Sequence, residues 1–141
     1  MIVADVNIVV YLLTDTPQRA MASQLYIRDP IWVLPPLWQH ELLNVLATLT
    51  RQVVVEQDSA LLIWRHAVDL LAHREQQPNM EHALLLAIEH GISAYDAQYV
   101  ALARELGVSL VSEDKKLQRL LPDQVVSLAR SVADYQDTPH D

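Results

Sequence analysis

Short apolar stretches alternate along this chain with longer segments of helical period, and that alternation constrains the fold most. "IVAD" (2–5), "IWVLP" (31–35), "VSLVS" (108–112) and "QVVSL" (124–128) read as buried strands. The first is followed by "VNIVVYLL", a helix, and Pro17 suits the first turn of another running towards Arg28. After Pro35–Pro36, Trp38, Leu42, Val45, Leu46 and Leu49 recur at helical spacing. Residues 56–75 and 79–90 read as two more amphipathic helices, and Gly91 suits a C-terminal cap. "SAYDAQYVALAREL" (93–106) ends at Gly107, and "DKKLQRLL" is a short helix stopped by Pro122. Strands separated by helices imply a mainly parallel central sheet covered on both faces, a three-layer α/β/α sandwich. A chain of 141 residues suits one domain. Residues 1–130 are expected to form it, with 131–141 as an acidic C-terminal tail.

Composition removes several classes. The 51% hydrophobic fraction argues for a packed core and against disorder. Every long apolar run is broken before a membrane span accumulates, and Asp5 and Asn7 interrupt the N-terminal one, so neither an anchor nor a signal peptide is expected. The absence of cysteine fits a reducing cytoplasm and excludes thiolate chemistry. With Gly91 and Gly107 as the only glycines, there is no dinucleotide fingerprint or P-loop. The net charge of −8 is unlike a simple nucleic-acid binder. A chain this acidic that acts on a polyanion must supply positive charge locally, from a basic patch or bound metal.

In a parallel sheet, ligands bind beyond the carboxyl ends of the strands. Asp5 ends the first strand and Asp114 follows "VSLVS" by two residues. Glu41 and Asp96 also stand in apolar surroundings, in "WQHELLNVL" and "SAYDAQYVALA". Each acid has a plain alternative. Asp5 can cap the helix after it, Asp96 completes a Ser93-x-x-Asp96 capping pattern, and Asp114 can cap with Ser112. Glu41 can occupy a narrow solvent edge between Leu37 and Val45. The four acids together carry more than any one.

The segments "VADVNIVVYLL", "WQHELLNVL", "SAYDAQYVALARELG" and "LVSEDKKL" occur in an order that resembles the PIN-domain nucleases, and within them the VapC-type toxins of toxin–antitoxin pairs. The resemblance runs to about "VVSLA", and its third and fourth segments are the most specific. It implies a PIN-like fold and a metal-dependent endoribonuclease in which Asp5, Glu41, Asp96 and Asp114 form a divalent-metal site. It further implies that Asp5, Asp96 and Asp114 ligate the ion directly, while Glu41 ligates it or holds a coordinated water. Ser112 matches a hydroxyl position beside the last acid, and Asn7 fits the opening segment; both would support the acids. Products with a 5′-phosphate and a 3′-hydroxyl, a homodimer, and an antitoxin presenting Arg or Lys to the carboxylates follow from the same resemblance.

The chemistry agrees. Carboxylates a few ångströms apart repel by about 4 kcal/mol per contacting pair at an effective dielectric of about 20, so a cluster of four needs cations. Oxygen ligands select Mg²⁺ or Mn²⁺ over zinc. Lys115, Lys116 and Arg119 follow Asp114 and can steady an RNA backbone, or form an ordinary solvated basic turn. "HELLN" fails as a zinc-protease helix because Asn44 replaces the second histidine, and His66 and His73 read as surface residues. Trp38 and Trp64 lie on apolar helix faces and read as core, although an antitoxin groove or a dimer interface would use the same chemistry. Two alternatives stand: a PIN nuclease of RNA processing without an antitoxin, and a non-catalytic PIN-like RNA-binding or scaffold module.

Overall fold

The computed structural model describes residues 1–136. Four strands form one sheet: β1 (Ile2–Ala4), β2 (Trp32–Val33), β3 (Leu110–Val111) and β4 (Val125–Val126), in the order β2-β1-β3-β4. Every pairing is parallel, with Ile2 opposite Trp32, Val3 opposite Leu110, and Leu110 opposite Val125. The strands are shorter than their apolar runs. Pro35 has no amide proton for the ladder after β2, and past β1 the chain turns at once into helix at Asp5.

Alternation along the strands divides the core in two. Ile2, Ala4, Trp32, Leu34 and Val111 point to one side, where α1 (Val6–Leu13), α2 (Arg19–Arg28), α3 (Trp38–Arg51) and α4 (Gln57–Leu71) cover them. Val3, Val33, Leu110 and Val125 point to the other, against α5 (Met80–His90), α6 (Ala94–Leu106) and α7 (Lys115–Leu120). These are the three layers the alternation requires. Tyr99, Val100, Ala101, Leu102 and Ala103 of α6 are all buried, while Ala94 and Tyr95 of its first turn are exposed. Gly91 and Gly107 end α5 and α6 in the left-handed region, at φ 64° and 67°. Trp38 is fully buried and stacks on Trp64 at 6.5 Å, while His66 and His73 are exposed, as their positions imply.

Three expectations change. Pro17 lies in the turn before α2, which begins at Arg19. The helix expected over 56–75 stops at Leu71 and tightens into a 3₁₀ turn over Ala72–Arg74. The last strand ends at Val126, and α8 (Leu128–Gln136) replaces most of the expected tail. Leu128 and Val132, one turn apart, are buried beneath it, and the Glu113 carboxylate accepts the Leu128 amide at 2.7 Å. Residues 137–141 of the proposed tail lie outside the described residues. Among the described residues, no helix is long and apolar enough to cross a membrane.

Candidate active site

Asp5 occupies the N-cap position of α1, with extended backbone, yet its carboxylate makes no capping hydrogen bond. The nearby amides of Val6 and Asn7 still favour its charge, but the closest partner is Ser112, whose hydroxyl donates to Oδ2 at 2.8 Å. Capping alone therefore does not explain Asp5. Ser112 is fully buried just beyond β3, and its Oγ also accepts the Asp114 amide at 3.1 Å. One hydroxyl thus ties together the ends of β1 and β3, the sheet's two central strands.

Glu41 lies in the first turn of α3, half-buried rather than on a solvent edge. Its Oε1 accepts the Tyr99 hydroxyl at 2.6 Å. Asp96 lies in the first turn of α6, where the Ser93 hydroxyl accepts its amide at 3.0 Å as the capping pattern predicts. Asp114 does cap: its Oδ1 accepts the Leu117 amide of α7 at 3.0 Å. That bond leaves its other oxygen for other work.

Three of the acids titrate above their ordinary range. Desolvation is the largest cause for each. For Asp5 the charge of Asp96 adds to it, against the Ser112 hydrogen bond. For Glu41 the charges of Asp5 and Asp96 add, against the Tyr99 hydrogen bond. For Asp96 the charge of Asp114 adds, while Ser93 and Lys116 oppose. Burial also pushes Tyr99 far above an ordinary phenol, with Glu41, Asp5 and Asp96 contributing. Charge interactions run from Asp5 to Asp96, from Glu41 to Asp5 and Asp96, and from Asp96 to Asp114.

The donor chemistry fits a hard divalent cation: oxygen ligands whose mutual repulsion a cation relieves. Their spacing is looser than a closed ligand set. Among the described residues, no three acidic or histidine side chains are gathered so as to hold a metal ion. Electrostatic coupling, not closure, is what joins them.

The supporting residues divide. Asn7 is exposed and lines a groove of about 740 Å³ between α1, α3 and α4, with Tyr11, Val45, Leu49, Leu62 and Ile63. Lys116 donates to the Gly91 carbonyl at 3.2 Å, securing the end of α5 while its charge acts on Asp96. Lys115 and Arg119 are exposed on α7. Sequence reasoning missed Tyr99 and Glu113. Tyr99 was within reach, one turn after Asp96 on the same helix; Glu113 was not, because its amide partner is 15 positions away.

A PIN domain model matches residues 2–120, a span that includes all four acids. The chain is 30% identical over 113 residues to Ribonuclease VapC3 of Pyrobaculum aerophilum, covering 77% of this chain and 82% of that protein. The crystal structure of PAE2754 from Pyrobaculum aerophilum superposes with a TM-score of 0.75, covering 98% of this chain and all of that one. At 20% identity, that likeness speaks for the fold. With the family model matching residues 2–120, this chain belongs to the PIN-domain family. Its similarity to Ribonuclease VapC3 sets it with the VapC-type members.

Proposed function

We propose that the protein is a metal-dependent endoribonuclease that hydrolyses RNA phosphodiester bonds at Asp5, Glu41, Asp96 and Asp114, acting as the toxin of a toxin–antitoxin pair. The observation carrying this reading is the placement of the acids at the carboxyl edge of the sheet. There Ser112 ties Asp5 to Asp114 and Tyr99 holds Glu41, and burial first and neighbouring acids second penalise the charge of Asp5, Glu41 and Asp96. A packed protein avoids such repulsion unless the charge is used. Similarity to a ribonuclease supports the substrate class.

In this reading the four acids hold Mg²⁺ or Mn²⁺, which when bound supplies an acidified water and offsets charge on the phosphate. The chain's own residues do the rest. Ser112 fixes Asp5 through its hydroxyl and Asp114 through its backbone amide. Lys115 and Arg119 are free to reach the RNA backbone, while Lys116 moderates the charge of Asp96. Positive charge is sparse, so RNA affinity should be weak and salt-sensitive.

The partners belong to the same proposal. An antitoxin segment would bring Arg or Lys to the acids, and the groove beside Asn7 is suited to an apolar peptide. A homodimer is supported by the exposed Met80, Leu84, Leu85 and Ile88 of α5. The proposed setting is the cytoplasm, in keeping with a chain free of cysteine.

The direct test is cleavage of single-stranded RNA by purified protein. Activity should require Mg²⁺ or Mn²⁺, disappear in EDTA, and fall by more than about a hundredfold in Asp5→Asn, since even groups that only support a metal ligand are worth 10–100-fold. Cleavage that persists in EDTA, or in Asp5→Asn, would contradict it.

A further inference from the structure

Tyr99 stands one helical turn after Asp96, so α6 directs both towards the acidic edge. Its side chain is 2% exposed, among Val100, Ala101, Leu102 and other apolar neighbours of the second core layer. Phenylalanine would fill that volume without a polar atom. A hydroxyl is tolerated in such a place only if it finds a partner. The partner is Glu41 Oε1, at 2.6 Å and 58 positions away in sequence.

The consequence falls on Glu41. A glutamate with three side-chain torsions, attached near the start of α3, would otherwise sample several rotamers. Tyr99 itself is buried among the side chains of the core, which restricts its ring from following such excursions. The bond takes one carboxylate oxygen, Oε1. α6 would therefore contribute to the site twice, once through Asp96 and once by holding an acid that belongs to α3.

We propose that Tyr99 is a positioning residue of the active site, whose hydroxyl clamps Glu41 in the orientation that receives the divalent cation. The inference rests on reading the four acids as the hydrolytic centre.

The test compares wild type with Tyr99→Phe, Glu41→Gln and the double variant. Mn²⁺ affinity is measured by electron paramagnetic resonance without RNA, and kcat and KM are measured separately with RNA. Tyr99→Phe should lower Mn²⁺ affinity by about 10- to 100-fold and lower kcat, with KM for RNA unchanged. In the Glu41→Gln background, Tyr99→Phe should cause no further loss, because its effect passes through Glu41. Wild-type affinity and kcat in Tyr99→Phe would overturn the proposal, as would equal losses in both backgrounds.

A second measurement does not depend on any variant folding. The Tyr99 hydroxyl proton, held in a buried hydrogen bond, should give a nuclear magnetic resonance signal that Mg²⁺ shifts. A signal unmoved by saturating Mg²⁺ would overturn the clamp, as would a wild type that binds no Mn²⁺. A wild type that binds Mn²⁺ but cleaves no RNA would refute the ribonuclease reading, while the Mn²⁺ comparison would still judge the clamp.

Discussion

At the carboxyl end of the sheet, Asp96 raises the pKa of Asp5, and both raise that of Glu41. At the amino end, the Met1 ammonium meets Asp29 at 2.6 Å, and a polar cleft of about 680 Å³ brings Arg104 near Asp29 and Asp123. Both ends are charged, and the cleft lies at the amino end. The difference is that one pairs opposite charges, while the other gathers partly buried acids whose charges raise one another's pKa values, with Lys116 only partly offsetting Asp96. Mixed charge stabilises a surface modestly and asks for nothing more. Concentrated like charge costs stability, and a protein keeps it where the charge has a use. Space alone would point to the amino end; electrostatics points to the carboxyl end.

The sharpest way to separate the ends is by pH. Because the folded-state pKa values of Asp5, Glu41 and Asp96 are raised, the folded chain binds protons more readily than the unfolded one. The cost of ionising them is full above the raised values and declines as pH falls through them. It is gone below the ordinary 3.8 of aspartate and 4.5 of glutamate. Metal-free wild type should therefore gain stability relative to Asp5→Asn and Asp96→Asn as pH falls from neutrality towards the ordinary 3.8 of aspartate. Urea melts of the three proteins across that range measure it. Parallel profiles would mean that the carboxyl end is no more strained than the amino end.

A smaller effect is expected at the other end. Asp29→Asn removes a partly exposed ion pair and should cost about 0–1 kcal/mol, with RNA cleavage unchanged. A loss of cleavage in this variant would move function towards the amino-end cleft.

The sequence displayed the layer order and the four acids because both depend on local pattern: periods of two and 3.6, Asp5 and Asp114 just past strands, and Glu41 and Asp96 in apolar helical surroundings. It concealed what depends on distant partners. α8 reads as a tail because Leu128 and Val132 stand alone among polar residues, and its amide partner, Glu113, lies before α7. The bond from Tyr99 to Glu41 crosses 58 positions and leaves no periodic trace. The strand ends were blurred for a different reason. Ser109 and Ser112 flank β3 in an extended run, but pairing with β4 holds only Leu110 and Val111.

The most direct test of the central claim, that the carboxyl edge stores repulsion for a cation to relieve, is thermal unfolding of wild type, Asp5→Asn and Asp96→Asn with and without Mg²⁺. Wild type should gain about 2.7 kcal/mol at a hundredfold excess of Mg²⁺ over its dissociation constant. Both variants should match or exceed wild type without metal and gain much less with it. Equal Mg²⁺-induced shifts in all three would return Asp5 to the role of a helix cap and contradict the account.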